Sequence, residues 1–523
     1  MKFISLLAIC FLSISSYGQS KKFTFKLGTE YDLPRKSEDL SFFGNDKDDI
    51  VNLSINKDEL NISKFNAKDL TRSEVNSIPL TGISKKFKSE IVLDFANKHY
   101  WVYSDWDSKS DEKLLYYEKL DVAAGKMTFS KTKLLGTTNF GDSKGLYVFY
   151  NQNSYSYKFD RSRKKLLIYY RLNPKNFKDK INFDKIGIHV YDENMNRLWG
   201  DEFTMPYSEA MMNNIDYSID SAGNAYLLAK VYDSEKIGDV NPETNKPGYH
   251  YEVMKFTKDS KQTGNIRVLP NNYFIQGIGL TENVDHSMGI CGTFSSAANN
   301  LAEGIFWGKA DDNNNVKTYN NVYYKFSLEE MKKYESAKTI KRMEENKECW
   351  LSYLNINEVI MEKDGSALFV CESYHRNFTQ GEKSSTMYHY YDDIVAIKIN
   401  SHRKCEWIKK IPKEQFGIDH RNTLSYKLIS DTSGYHFLFL DNQTNTELSE
   451  TQDPRPYKDG NAGQLVVTSI SNAGVSGKML LLDTKEDNAM VFPTSFTKVN
   501  GTKLVGLASM KSGNFKPLLI TVE

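Results

Sequence analysis

A strand-turn-strand unit that returns at nearly constant spacing constrains this 523-residue chain more than any other feature. The clearest copy is Ile215-Asp-Tyr-Ser-Ile-Asp220-Ser-Ala-Gly223-Asn-Ala-Tyr226-Leu-Leu-Ala-Lys-Val-Tyr232. Asp220 can bond its own backbone there, and Gly223 supplies the positive φ that the turn needs. With comparable turns at Asn97-Lys98, Asp160 to Arg163, Asp285-His286, Asp364-Gly365, Asp431 to Gly434 and Asn500-Gly501, successive units start 63, 60, 65, 79, 67 and 69 residues apart. A second hairpin follows the clearer copies, at Val190 to Trp199, Ala396 to Ile408 and Thr468 to Leu482. Each period therefore holds a four-stranded antiparallel sheet. Such a sheet cannot bury both faces alone, and radial stacking of copies buries them all, so the expected fold is all-β, a single β-propeller.

Asp220-Ser-Ala-Gly223-Asn-Ala-Tyr226 resembles the D-x-x-G-N-x-Y/W signature of NHL-type and related bacterial seven-bladed propeller repeats. Glu362-Lys-Asp364-Gly365-Ser-Ala-Leu-Phe and Asp431-Thr-Ser-Gly434-Tyr-His-Phe are degenerate versions. The resemblance implies a fold and says little about function, because propellers host unrelated activities. Seven turns predict seven four-stranded blades. After the last turn only Lys503 to Met510 and Phe515 to Val522 remain. The ring-closing strand is then expected from the N-terminal segment 19–90, from Phe23 to Leu27 or the Val51 to Phe65 hairpin, with the propeller over 91–523. An eighth blade begun by Val51 to Ile62 is the alternative, against which stands the short interval of 41 residues from Asn56 to Asn97. Tandem β-sandwiches are a further arrangement that gives alternating strands.

Residues 1–18, MKFISLLAICFLSISSYG, set Lys2 before an apolar run and end in small and polar residues, the layout of a cleavable secretory signal. Cleavage before Gln19 resembles signals common in Bacteroidota. The expectation is an exported protein, periplasmic or outer-membrane associated or secreted. No later segment is apolar enough to cross a membrane, so an integral membrane protein is not expected. Lys+Arg 68 against Asp+Glu 67 gives no basic footprint for nucleic acid, and 40% hydrophobic residues exclude disorder. Four cysteines follow the signal, Cys291, Cys349, Cys371 and Cys405. They lack zinc-site spacing and read as buried free thiols rather than a bridge.

In a blade with strands A to D, the A–B and C–D turns share one face of the disc, and the B–C and D–A connections share the other. The B–C connections read as long: Asp105 to Lys113, Asn173 to Phe183, Asp233 to Gly248, Arg376 to Tyr388 and Asn442 to Gly463. Their face is the expected binding face. One inserted helix near 327–346, between the fourth and fifth blades, belongs to the same side. Ser327 and Glu330 form its capping box and Asn346 is its stop. Its stripe of Leu328, Met331, Tyr334, Ile340 and Met343 is expected to pack on blade edges.

The densest polar-aromatic cluster is Tyr388-His389-Tyr390-Tyr391-Asp392-Asp393. With the loop aromatics Trp106 and Phe378 it yields the candidate binding residues Trp106, Phe378, Tyr388, His389, Tyr391, Asp392 and Asp393. H-E-x-x-H, Walker A, G-x-S-x-G and EF-hand patterns are absent. No cofactor, metal or catalytic residue is assigned. The expected role is non-catalytic binding or scaffolding of a protein or glycan at the cell envelope. The alternative is a propeller-type carbohydrate-active hydrolase with channel-facing carboxylates, Asp392 or Asp393 paired with Asp105, Asp107 or Glu382.

Overall fold

A computed structural model of the chain describes residues 23–33, 36–44, 49–121, 124–138, 155–172, 182–235, 238–259, 263–268, 273–310, 316–317, 323–347, 349–380, 385–418, 423–500 and 502–523. The expected signal segment lies outside them. Among the described residues the strands form, besides two short two-stranded pairs, eight larger sheets, each built on four antiparallel strands, over 38–79, 88–137, 156–208, 212–268, 274–325, 354–418, 427–483 and 489–522 with 23–27. We call these blades 1 to 8.

The middle strands of each blade are buried on both faces, which is why they read as continuous apolar runs. In Ala367-Leu-Phe-Val-Cys371 the side chains alternate: Phe369 and Cys371 enter the core shared with blade 5, while Leu368 and Val370 enter the core shared with blade 7. Eight such cores occur, one at each blade interface. The last joins Phe42 and Phe65 of blade 1 to Val505 and Leu519 of blade 8, so the ring is closed.

The closing strand is Phe23–Leu27, paired antiparallel with Phe515–Val522 from Phe23↔Val522 to Leu27↔Leu518. Phe23 reaches past its own blade to place its ring edge-on to His436 of blade 7, centroids 5.0 Å apart. The Val51 hairpin is the central pair of blade 1, so the segment before residue 90 contributes a whole blade as well as the closing strand. The interval of 41 was short because Asn56 lies on a B–C turn. Strands A and B of blade 1 are Glu38–Gly44 and Asp49–Ile55, and position 45, where their connection begins, precedes Asn97 by 52 positions. The turn itself lies outside the described residues.

Four of the seven recurring turns share one geometry. The carbonyl of the first residue accepts the N–H of the fourth, at 2.9 Å for Asp160–Arg163, 2.9 Å for Asp220–Gly223, 3.0 Å for Asn283–His286 and 3.2 Å for Glu362–Gly365. The fourth residue is left-handed in each, with φ 52°, 85°, 64° and 85°. Asp220 also accepts the Asn224 N–H and the Tyr226 hydroxyl, both at 2.8 Å, so the signature residues are the turn's own fasteners. A Cβ at Gly365 would meet only the Ser401 Cβ, at 3.8 Å. Gly365→Ala therefore isolates the backbone term, and urea unfolding should show a loss of about 1 kcal/mol.

The inserted helix is two helices, Leu328–Met331 and Ala337–Asn346, separated at Tyr334 with φ 59°. They lie between blades 5 and 6, one place later than expected, because the added blade precedes them. Ser327 accepts the Glu330 N–H, the N-cap half of the expected capping box. Met331 and Met343 are buried among Phe326, Leu354 and Ile397 with Leu328 packed against them, so these three residues of the stripe pack on the blades. The cysteines are free thiols; Cys291 and Cys371 are buried, whereas Cys349 is half-buried and Cys405 exposed. Among the described residues, no helix is long and apolar enough to cross a membrane.

Candidate binding face on blades 6 and 7

Blade 6 departs most from a regular sheet. Its central strands, Ala367–Gln380 and Ser385–Ile399, pair continuously from Ala367↔Ile399 to Gln380↔Ser385 apart from one bulge between Glu372 and Tyr374. The innermost strand, Leu354–Met361, stops at Leu354↔Ser373. Residues 374–380 and 385–391 therefore stand beyond it as an arm, with Gln415–Ile418 as a third strand alongside Tyr388 to Tyr391. The segment from Arg376 to Tyr388, expected as a long loop, is mostly paired strand, because the alternation of rings continues across both chains. Asp105 to Lys113 is also strand, paired to Asp107↔Glu112. Asn442 to Gly463 is irregular, carrying a 3-10 turn at Gln443–Asn445 and a parallel pairing of Tyr457–Lys458 with Gln415–Ile418. Most of Asn173 to Phe183 lies outside the described residues.

On one side of the arm four rings stand in a row. Tyr353 lies 4.9 Å from His375, His375 lies 4.5 Å from Tyr390 with planes 2° apart, and Tyr390 lies 6.2 Å from Phe416. On the other side Tyr374 packs on Tyr391, centroids 4.7 Å apart, and its hydroxyl meets His389 Nδ1 at 3.0 Å. Cross-strand pairs of this kind stiffen a sheet that has lost a neighbour.

A buried ionic floor underlies the arm. Lys413 Nζ sits 2.9 Å from the Glu372 carboxylate and donates to the Tyr391 carbonyl at 2.8 Å. Glu372 also accepts from Asn357 Nδ2 at 2.9 Å and Ser425 Oγ at 2.7 Å. Lys410 Nζ pairs with Glu335 at 2.6 Å and Asp393 at 3.1 Å, and its N–H donates to Glu330 Oε1 at 2.9 Å. These bonds pin the helical insertion to blade 6. The Tyr334 N–H donates to the Glu450 carbonyl and Lys333 Nζ pairs with the Glu450 side chain, both at 2.8 Å, which ties the insertion to the blade 7 loop. Arm, helices and loop thus form one assembly. Beside it a cavity of about 500 Å³ is lined by Glu414, Thr444, Gln452, Asp453 and Arg455.

Burial pushes the Asp392 carboxyl up to about 7; Lys413 opposes this, and Asp393 and Glu414 add to it. Burial also holds the His375 imidazole, whose Nδ1 is 3.8 Å from Asp392, below its usual range. Asp392 binds its proton more tightly in the folded protein than in the unfolded chain, where an aspartate titrates near ~3.9. Its stabilising contribution is then complete below about pH 4 and is lost as the pH rises through about 7. Thermal melts should show the wild type losing stability relative to Asp392→Asn across that window and holding constant relative to it above.

Six of the seven sequence candidates lie on the two central strands of blade 6, Phe378, Tyr388, His389 and Tyr391 in the arm and Asp392 and Asp393 at its base. Phe378 is 59% exposed, whereas His389 is buried and Asp393 is held by Lys410. Trp106, 44% exposed, lies on blade 2, half-way round an eight-bladed ring from blade 6. It does not join the cluster. Asp105 and Asp107 lie on blade 2 with it, so the structure does not bring them to Asp392 or Asp393, and Glu382 lies outside the described residues. Tyr353, His375, Phe416 and the Lys413–Glu372 pair were missed, since strand pairing alone brings them together.

No family model matches the chain, and no curated protein matches it. Among solved structures it is similar to a periplasmic gluconolactonase of Pseudomonas aeruginosa, at 10% identity over 73% of this chain and 96% of that one, with a TM-score of 0.28. It is also similar to the β-propeller domain of the Trilobed protease from Pyrococcus furiosus, at 11% identity over 73% and 96%, with a TM-score of 0.30. A thermostable family-43 glycoside hydrolase matches at 13% identity over 56% of this chain and 94% of that one, with a TM-score of 0.22. At these values the likenesses carry no argument about activity.

Proposed function

We propose that this is an exported β-propeller that binds a component of the cell envelope, a protein or a glycan, through the face where the blade 6 arm, the helical insertion and the blade 7 loop meet. The observation that carries the reading is their convergence. Three separate departures from a regular blade are locked together by Lys410, Glu335 and Glu450, and the arm they support holds the strongly exposed Phe378. Folds commonly carry function on such additions to a rigid scaffold. The hydrolase alternative finds less support, because Asp393 is ion-paired and Asp105 and Asp107 are on blade 2.

The test is purification of the tagged mature protein from its native envelope in mild detergent. One reproducible companion protein, or retention on one class of envelope glycan without its cleavage, is expected. A clean monomer that releases new reducing ends from an envelope glycan would overturn the reading in favour of the hydrolase.

A further inference from the structure

We propose that the cavity beside the arm is a second site, one that takes a short peptide by its two free ends, the ammonium at Glu414 and Asp453 and the carboxylate at Arg455. It is additional to the envelope-binding role proposed above and stands on its own observations. The cavity, about 500 Å³, has the size of a small-molecule pocket. Glu414, half-buried, and Asp453 and Arg455, both exposed, are its charged side chains. Among the described residues none of the three is held in an ion pair. The charges nearby are matched: Lys410 with Glu335 and Asp393, Lys413 with Glu372, and Lys478 with Asp441. Unmatched charges of both signs therefore gather where the protein leaves space.

The wall is set before a ligand arrives. Asn445, 1% exposed, accepts the Arg455 N–H at 2.8 Å and donates to the Arg455 carbonyl and to Asp441, each at 2.8 Å. Asn442 donates to the Pro456 carbonyl at 2.9 Å, and the Tyr457 N–H donates to the Glu414 carbonyl at 2.8 Å. Asp453 and Arg455 each precede a proline, which favours extended backbone at both. Two residues of extended chain set them roughly 6–7 Å apart. In a free amino acid the ammonium nitrogen and the carboxylate carbon share one Cα and lie about 2.5 Å apart, whereas one further residue brings them to about 6 Å. The spacing thus suits a dipeptide better than an amino acid. Burial raises the Glu414 carboxyl above its usual range, and Asp393 and Asp453 raise it further, so a ligand ammonium there meets uncompensated negative charge. Half-buried Leu448 and Pro454 give the ligand's side chains an apolar wall.

The test is calorimetry of the purified mature protein with alanylalanine as the probe. Binding with a Kd of about 1 mM or tighter is expected, and N-acetyl-alanylalanine, alanylalanine amide and free alanine should each bind at least about tenfold more weakly. Glu414→Gln and Arg455→Gln should each weaken alanylalanine by about the same factor. Melting temperatures should not move, since neither side chain holds another in place. Glu414→Gln should leave the weak binding of the N-acetyl form as it was, because that form has no ammonium to lose. Absence of heat at about 10 mM alanylalanine would overturn the proposal. So would equal binding of alanine or of either blocked form, or wild-type affinity in either variant.

Discussion

A chain lacking Phe23–Leu27 is expected to lose the cooperative melt of the full-length protein and to form higher oligomers on size exclusion. The five paired residues are the outer strand of blade 8, and their removal bares Phe515–Val522, whose Leu518 and Ile520 are buried in the core between blades 7 and 8. Phe23 belongs to the same core at 3% exposure. Truncation of such a ring alone, Phe23→Ala, should remove about 3–5 kcal/mol. Deletion adds an unpaired edge, the usual template for intermolecular pairing. Since the closing contact joins the first described strand to the last, it forms only after the longest loop closes, so Phe23→Ala should act mainly by speeding unfolding. A deletion variant that melts with the full-length protein as a monomer would show that blade 8 is stable with three strands.

The second large effect is expected at the floor of the binding face. Lys413 and Glu372 have side chains 0% and 1% exposed. Removing one partner leaves a charge without its counterion in a dry site, so Lys413→Met should lose about 3–5 kcal/mol in urea unfolding. Adding Glu372→Gln should return a large part of it, because the stranded charge is gone and the amide can keep the bonds from Asn357 and Ser425. The exposed Lys85–Asp58 pair, at 75% and 69%, provides the contrast: its loss should move stability by less than about 1 kcal/mol. A Lys413→Met effect as small as that would mean water reaches the floor.

The propeller was legible because its signals are local. Asp220, Gly223, Asn224 and Tyr226 fasten one turn within a few residues, and the same chemistry repeats at a period the eye can measure. The blade count was harder, since in blade 1 the visible turn at Asn56 joins strands B and C and shifts the apparent phase. The arm was read as a loop because its tip is polar, while the pairing that makes it strand, Tyr374↔Tyr391 to Gln380↔Ser385, is visible only when both chains are aligned. The ring row from Tyr353 to Phe416 spans four separate strands or connections, and the Lys413–Glu372 pair is 41 positions apart, so no spacing rule could have joined them. Trp106 failed as a companion to Phe378 for the opposite reason: similar composition on two blades does not place them on the same side of a ring.

The most direct test of a blade 6 and 7 binding face is to shorten the arm and measure what the protein still holds. Replacing Arg376 to His389 with Asn-Gly joins His375 to Tyr390, an existing cross-strand pair, through a two-residue turn suited to a hairpin. The account predicts an unchanged fold and loss of the native envelope companion in this variant, with the companion fully retained by Trp106→Ala on blade 2. Retention by the shortened arm, or loss on changing Trp106 alone, would contradict it.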